Sequence, residues 1–269
     1  MQRPDWAPEN IDVERPSVAR MYDYYLGGSH NFAVDRAAAQ AMIAAVPEAP
    51  LMAQANRAFL RRTVRYLVGA GIRQFLDIGS GIPTVGNVHE IAQQAAPGSR
   101  VVYIDVDPVA VAHSREILAG NTEAVAIQED LRRPDAILTH PEVRKLIDFT
   151  EPIAVLLVAV THFIPDADDP AGIIGRIRDV LVPGSYLVHS QASDEGRTDD
   201  ERVEATEVYR HTDNPISYRR WAELAPFFAG FGLVEPGLVW VPLWRPDEGD
   251  STDEADRCVF VGGVGRLGD

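Results

Sequence analysis

From residue 74 onward short apolar runs alternate with amphipathic stretches, and this alternation restricts the fold more than any other feature. The runs read as strands at Gln74–Ile78, Arg100–Ile104, Ala124–Gln128, Ile153–Val160 and Ser185–His189. Between most of them a helical period of 3.6 residues appears, over Thr84–Ala96, Pro108–Ala119, Pro141–Ile147 and Pro170–Leu181. Strands apolar on both faces need helices above and below, which is the arrangement of a parallel sheet with crossover helices. Asp169 followed by Pro170 is a strong helix start, since proline suits the first helical position. Further on, Trp221, Leu224, Phe227, Phe228 and Phe231 mark an amphipathic helix, and Gly237–Leu243 and Cys258–Val264 two more strands. The acidic segment 247–256 between those strands predicts an antiparallel pair with a solvated connection.

The first seventy residues follow another pattern. Pro4 and Pro8 mark a loose arm. Ser17 is placed to cap a helix bearing Val18, Met21, Tyr22 and Tyr25 on one side, ended by Gly27 and Gly28. A second helix is expected over Asp35–Ala45. A third runs over Leu51–Val68, with Met52, Ala55, Phe59, Tyr66 and Leu67 along its apolar side. Residues 1–70 therefore read as a helical cap belonging to the same domain as an α/β core over 71–269. A chain of 269 residues with 46% apolar content suits that size of core.

Charge and cysteine usage narrow the function classes. A net charge of −15 disfavours nucleic acid as a partner. Arg57, Arg61, Arg62 and Arg65 form the nearest approach to a basic patch, and their helical spacing reads as a solvated helix face. No apolar run is long enough to cross a membrane, the longest being Ile153–Val160. The N-terminus lacks the apolar middle of a signal peptide. The lone Cys258 excludes an internal disulfide framework and fits a reducing cytoplasm. The seven histidines are scattered, with no metal-ligand spacing, so no metal is expected. Oligomeric state is not legible.

The segment Phe75-Leu-Asp-Ile-Gly-Ser-Gly-Ile-Pro83 is a strand running through a glycine turn into a helix. Gly79 and Gly81, flanking Ser80, let the backbone approach a ligand that side chains would block. Asp77 stands where a nucleotide-phosphate loop places an apolar residue, and the loop carries no lysine or arginine to meet a phosphate. Asp105, followed by Val106, ends the second strand, where a carboxylate accepts from both ribose hydroxyls. Asp130, followed by Leu131, ends the third, within reach of an adenine amino group. Each acid alone reads more readily as a turn cap. Together they line the carboxyl edge of one sheet, where such folds bind ligands. An acidic, phosphate-free pocket fits S-adenosylmethionine, which has an amino group, a ribose and an adenine, better than NAD. Asp107 reads as the N-cap of the helix that Pro108 begins.

Other stretches are more specific still: Met21-Tyr-Asp-Tyr-Tyr-Leu-Gly-Gly-Ser-His-Asn-Phe32 with Asp35, Gln54-Ala-Asn-Arg-Ala-Phe-Leu-Arg61, Val160-Thr-His-Phe-Ile-Pro165 and Leu233-Val-Glu-Pro-Gly-Leu238. With the glycine turn, they resemble a family of bacterial S-adenosyl methyltransferases long known as a domain of unknown function, from about Ser17 to Leu267. His30 and Thr161 stand where that family usually has an acid and a leucine. The resemblance implies a Rossmann-like S-adenosylmethionine-dependent methyltransferase fold: a seven-stranded, mostly parallel sheet with the last strand antiparallel, plus the helical cap. It implies the cofactor and leaves the acceptor, expected to be a small molecule, unidentified.

Around the diglycine turn, Tyr22, Tyr25, His30, Asn31 and Phe32 either close over the cofactor or pack the cap on the sheet. Arg57 either meets the methionine carboxylate or faces solvent. His162 follows the fourth strand near the expected methyl position. It is either a general base for the acceptor or a histidine that lines the pocket or bonds to backbone. Competing functions are a non-catalytic module that binds S-adenosylmethionine or S-adenosylhomocysteine, and a nicotinamide-dependent oxidoreductase.

Overall fold

The structure is a computed structural model describing residues 12–83, 86–195, 199–210, 212 and 214–268. The proline-marked arm and Thr84, the expected start of a helix, lie outside the described residues. Helices α1 (Val18–Tyr25), α2 (Ala33–Ala45) and α3 (Ala49–Gly69) come first. The alternating region follows as β1 (Gln74–Ile78), α4 (Val88–Ala95), β2 (Arg100–Asp105), α5 (Pro108–Ile117), β3 (Ala124–Gln128), α6 (Pro134–Thr139), α7 (Pro141–Leu146), β4 (Ala154–Val158), α8 (Pro170–Arg178) and β5 (Tyr186–Ala192). The chain ends with α9 (Asp199–Arg210), α10 (Trp221–Leu224), β6 (Phe231–Leu233), β7 (Val239–Trp240) and β8 (Phe260–Leu267).

The sheet runs β3-β2-β1-β4-β5-β8-β6, with β7 off this path and paired to β8. Strands β1 to β5 pair in parallel, and β8 is antiparallel to β5, β6 and β7. The two-residue period of the strands sorts their side chains onto two cores. Phe75, Val101, Leu156 and Val188 pack with Met21, Phe59 and Leu67 from the N-terminal helices. Their neighbours Leu76, Val102, Val155 and Leu187 pack on the other face with Ile137, Ile173, Ile177 and Phe227. The N-terminal helices thus cover one face of the sheet and reach over its carboxyl edge.

Several elements differ from expectation for identifiable reasons. The outer strand is β6, and the expected Gly237–Leu243 strand shrinks to Val239–Trp240 before a 3₁₀ turn at Val241–Leu243. The aromatic helix expected around Trp221 stops at Leu224 and continues as a 3₁₀ turn over Ala225–Phe228, where Pro226 has no N–H to extend it. β4 ends at Val158 because Ala159 takes a φ of 58°. β5 runs on to Ala192 although Ser190 and Gln191 are polar, since both find buried hydrogen-bond partners. Ser17 makes no side-chain cap on α1 and instead donates from Oγ to Asp107. Asp107 does cap α5, accepting from the N–H groups of Val109 and Ala110. The arginines of α3 do not form one solvated face: Arg57 and Arg62 are buried. Nor is the acidic connection fully solvated, for Arg62 holds Asp250 at 3.1 Å.

Candidate active site at the carboxyl edge of the sheet

One cavity is lined by the ends of β1 to β4 and closed by α1 and α3. The glycine turn forms its base. Gly79 takes a φ of +75°, and a β-carbon there would lie 2.4 Å from Val160 Cγ2, so only glycine fits. Its N–H and that of Ser80 donate to the Ile104 carbonyl at 2.7 and 3.2 Å, which ties the turn to β2. Gly81, at a φ of +67°, has open space where a β-carbon would project. Its N–H donates to Asp105 Oδ2 at 2.7 Å, while Asp107 N–H donates to Oδ1 at 2.8 Å.

Three acids on this edge are buried, Asp77, Asp105 and Asp107, and the first two are raised strongly. Burial pushes Asp77 up to about 7; Arg57 beside it pulls the other way, and Asp105 adds to the rise. Burial likewise lifts Asp105 to about 7, against the stabilising N–H groups of Asp107 and Gly81. Asp77 is 4% exposed and lines the cavity, and among the described residues its carboxyl has no hydrogen bond or ion pair. A buried carboxylate without a donor is costly unless a ligand supplies one. Across from it, Arg57 Nη2 donates to the Ile82 carbonyl at 3.3 Å, and its Nε has no partner.

Asp130 and Leu131 also line the cavity, as do Val106, Ser80 and Tyr22. Asp130 is already engaged by Arg132, whose Nη2 approaches to 2.6 Å, and its carboxyl is held below the usual range despite partial burial. Asn31 is not among the lining residues. Its Nδ2 donates to Asp23 Oδ2 and the Gly28 carbonyl, fastening the diglycine turn. His162 is also absent from the wall. It is 3% exposed, with Phe163 and Phe260 around its ring, and Nδ1 accepts from the Ala192 N–H at 3.3 Å. Burial, with Arg219 nearby, drives its pKa down to about 3, so the imidazole is neutral and weakly basic.

Sequence reasoning missed a polar chain in the wall. Ala159 N–H donates to Ser190 Oγ, Ser190 Oγ to Asn56 Oδ1, Asn56 Nδ2 to Tyr22 Oη, and Tyr22 Oη to the Ala53 carbonyl, over distances of 2.6 to 3.1 Å. This chain fastens α1 and α3 to the ends of β4 and β5. Ser17 fastens the start of α1 to Asp107, beside the Asp105 loop. No local pattern tells these roles of Asn56 and Ser17, because their partners are far away in sequence.

The sequence matches, over residues 4–268, a family described as S-adenosyl methyltransferase. A DUF574 family protein of known structure from Streptomyces avermitilis is 40% identical, with 95% of this chain and 98% of that chain covered and a TM-score of 0.90. A candidate methyltransferase from Thermobifida fusca is 39% identical, with 99% and 100% covered and a TM-score of 0.91. No curated protein matches the chain.

Proposed function

We propose how this chain, which belongs to the S-adenosyl methyltransferase family, uses its cavity. It is an S-adenosylmethionine-dependent methyltransferase, with S-adenosylhomocysteine as the spent cofactor. Asp77 takes the methionine ammonium, Arg57 its carboxylate, and Asp105 the ribose hydroxyls. Asp130 with Leu131 borders the adenine, and Gly79 to Gly81 form the cradle under the methionine. The observation that carries this reading is Asp77, a buried carboxylate that lines the cavity without a donor. The partnerless Arg57 Nε and the space beside Gly81 fit the same ligand.

When bound, S-adenosylmethionine would supply a sulfonium methyl to an acceptor lone pair in line with the S–CH3 bond, whose electron pair returns to sulfur as a neutral thioether. The protein's work is positioning and exclusion of water. Tyr22 and Asn56 hold the cap side of the cavity, with their polar atoms already paired to one another and to Ala53 and Ser190. Phe163 and Leu60 supply apolar wall. His162 keeps the end of β4 against β5 and takes no proton. The acceptor is a small molecule and the compartment the cytoplasm, readings supported by the cavity at the sheet edge and the single buried cysteine. No helix among the described residues is long and apolar enough to cross a membrane. Calorimetric titration with S-adenosylhomocysteine and NAD tests the reading. Saturable binding of the first alone is expected; binding of NAD alone overturns it.

A further inference from the structure

The four arginines of α3 have different fates. Arg62 is buried, donating to the carbonyls of Trp244 and Val241 and pairing with Asp250. Arg65 pairs with Asp247. Arg57 stands in the cofactor cavity. Arg61 is left, and among the described residues it makes no ion pair and no hydrogen bond. Its stem crosses Gly86, where a β-carbon would lie 2.9 Å from Arg61 Cδ. With Arg57, Gln54, Pro83 and the Gly27–Gly28 turn it lines an open depression outside the cofactor cavity.

Arg57 lines both spaces, so one side chain separates them. It is 8% exposed, and its Nε is buried without a partner. The carboxylate of the depression is Asp23, and it is committed elsewhere: Oδ2 accepts from His30 N–H at 2.9 Å and Asn31 Nδ2 at 2.8 Å. Gly28 keeps the turn closed on that carboxylate, since a β-carbon there would lie 2.0 Å from Asp23 Oδ1. In a chain of net charge −15, a guanidinium without a counter-ion beside a second, incompletely paired one is set to receive an external anion.

We propose that this depression receives a carboxylate or phosphate group of the methyl acceptor, held by Arg61 with Arg57 behind it. The site would take an anion whatever the reaction; that the anion belongs to the acceptor rests on the methyltransferase reading. An acceptor anchored there lies one side chain away from the methionine end of the cofactor. Its charge also lets the site select it from neutral molecules of similar size, because a fork of N–H donors left unmet is costly.

Inorganic phosphate and succinate are titrated separately into the wild-type protein saturated with S-adenosylhomocysteine, and into Arg61→Ala and Arg61→Lys. At least one anion is expected to bind saturably to the wild type, the tighter one assigning phosphate or carboxylate. Arg61→Ala should weaken that binding by about tenfold or more, as expected for loss of a charged hydrogen-bond donor, with Arg61→Lys in between. Affinity for S-adenosylhomocysteine and melting temperature should hold in both variants. Absence of saturable binding to the wild type, or equal binding in all three proteins, overturns the proposal. So does a parallel loss of S-adenosylhomocysteine affinity, which would assign Arg61 to the cofactor. If S-adenosylhomocysteine fails to bind even the wild type, the cofactor assignment fails, and the anion titration is read on the protein alone.

Discussion

Of the buried carboxyls that face the cavity, Asp77 and Asp105 are the two raised strongly, and pH separates their effects on stability and on binding. Asp77 is raised from 3.8 to about 7, chiefly by burial, and so is Asp105. A group raised on folding contributes stability that is complete below its unfolded value and lost as pH climbs through the folded one. The protein alone should therefore lose stability between about pH 4 and about pH 7, by roughly 4 kcal/mol for each acid. The cofactor acts in the opposite direction. Its ammonium binds ionised Asp77, so affinity should rise with pH up to about 7 and then level, and binding at lower pH should release a proton. Asp77→Asn keeps the shape and removes the charge. At about pH 8 the variant should melt no lower than the wild type, because a buried charge is gone. Its affinity for S-adenosylhomocysteine should fall about 10–100-fold, from about 1.5–3 kcal/mol for a hydrogen bond to a charged group. Calorimetry in two buffers of different ionisation enthalpy reads both the affinity and the proton release. An Asp77→Asn protein with wild-type affinity and wild-type proton release would refute the ammonium assignment.

Asp105→Ala strands the Gly81 and Asp107 N–H groups and removes the ribose acceptor, so S-adenosylhomocysteine should bind about 1–3 kcal/mol more weakly; unchanged calorimetric affinity would contradict the ribose role. Hydrogen exchange over Ser17 to Asp35 should slow when S-adenosylhomocysteine is added, because Ser17 and Tyr22 line the cavity; equal exchange would reduce the cap to packing. His162→Ala should cost about 2–4 kcal/mol of stability through a cavity and a lost acceptor for the Ala192 N–H. The acidic limb of its rate-versus-pH curve should stay, since the imidazole is neutral down to about 3; loss of that limb would make it a base after all.

Much of the site was legible because it is local. Asp77, Gly79 and Gly81 lie within five residues, their types state a tight turn at a strand end, and all three line the cavity. Asp105 and Asp130 followed from ending successive strands of one parallel sheet. What stayed hidden depends on partners far along the chain. Arg132 engages Asp130, which no reading of the acid alone reveals. Asn56 looked like any polar residue of a helix until Ser190 met it. His162 carried two readings, a general base or a histidine bonded to backbone, and the choice turns on the Ala192 N–H, thirty residues away. In the fold, strands with long apolar runs were clear, whereas β6, three residues long, carries too short a period to detect, and the expected Gly237–Leu243 strand keeps only the two residues of β7. Gly27 and Gly28 were legible as a turn, but the reason for Gly28 is the Asp23 carboxylate pressed against it.

The polar chain through Asn56 also has a consequence in time. Its partner Ser190 follows it by 134 residues, and Asp107 follows Ser17 by 90. At roughly 5–20 residues per second of synthesis, β5 trails α3 off the ribosome by roughly 7–27 seconds. Through that interval the cavity wall lacks Ser190, and the sheet that α3 covers is only partly laid down. Cofactor added in excess has nothing to grip until β4 and β5 are both laid down. Yield of the folded protein during expression should therefore depend on chaperones that shelter the early helices, and cofactor supply should matter only for the lifetime of chains already complete.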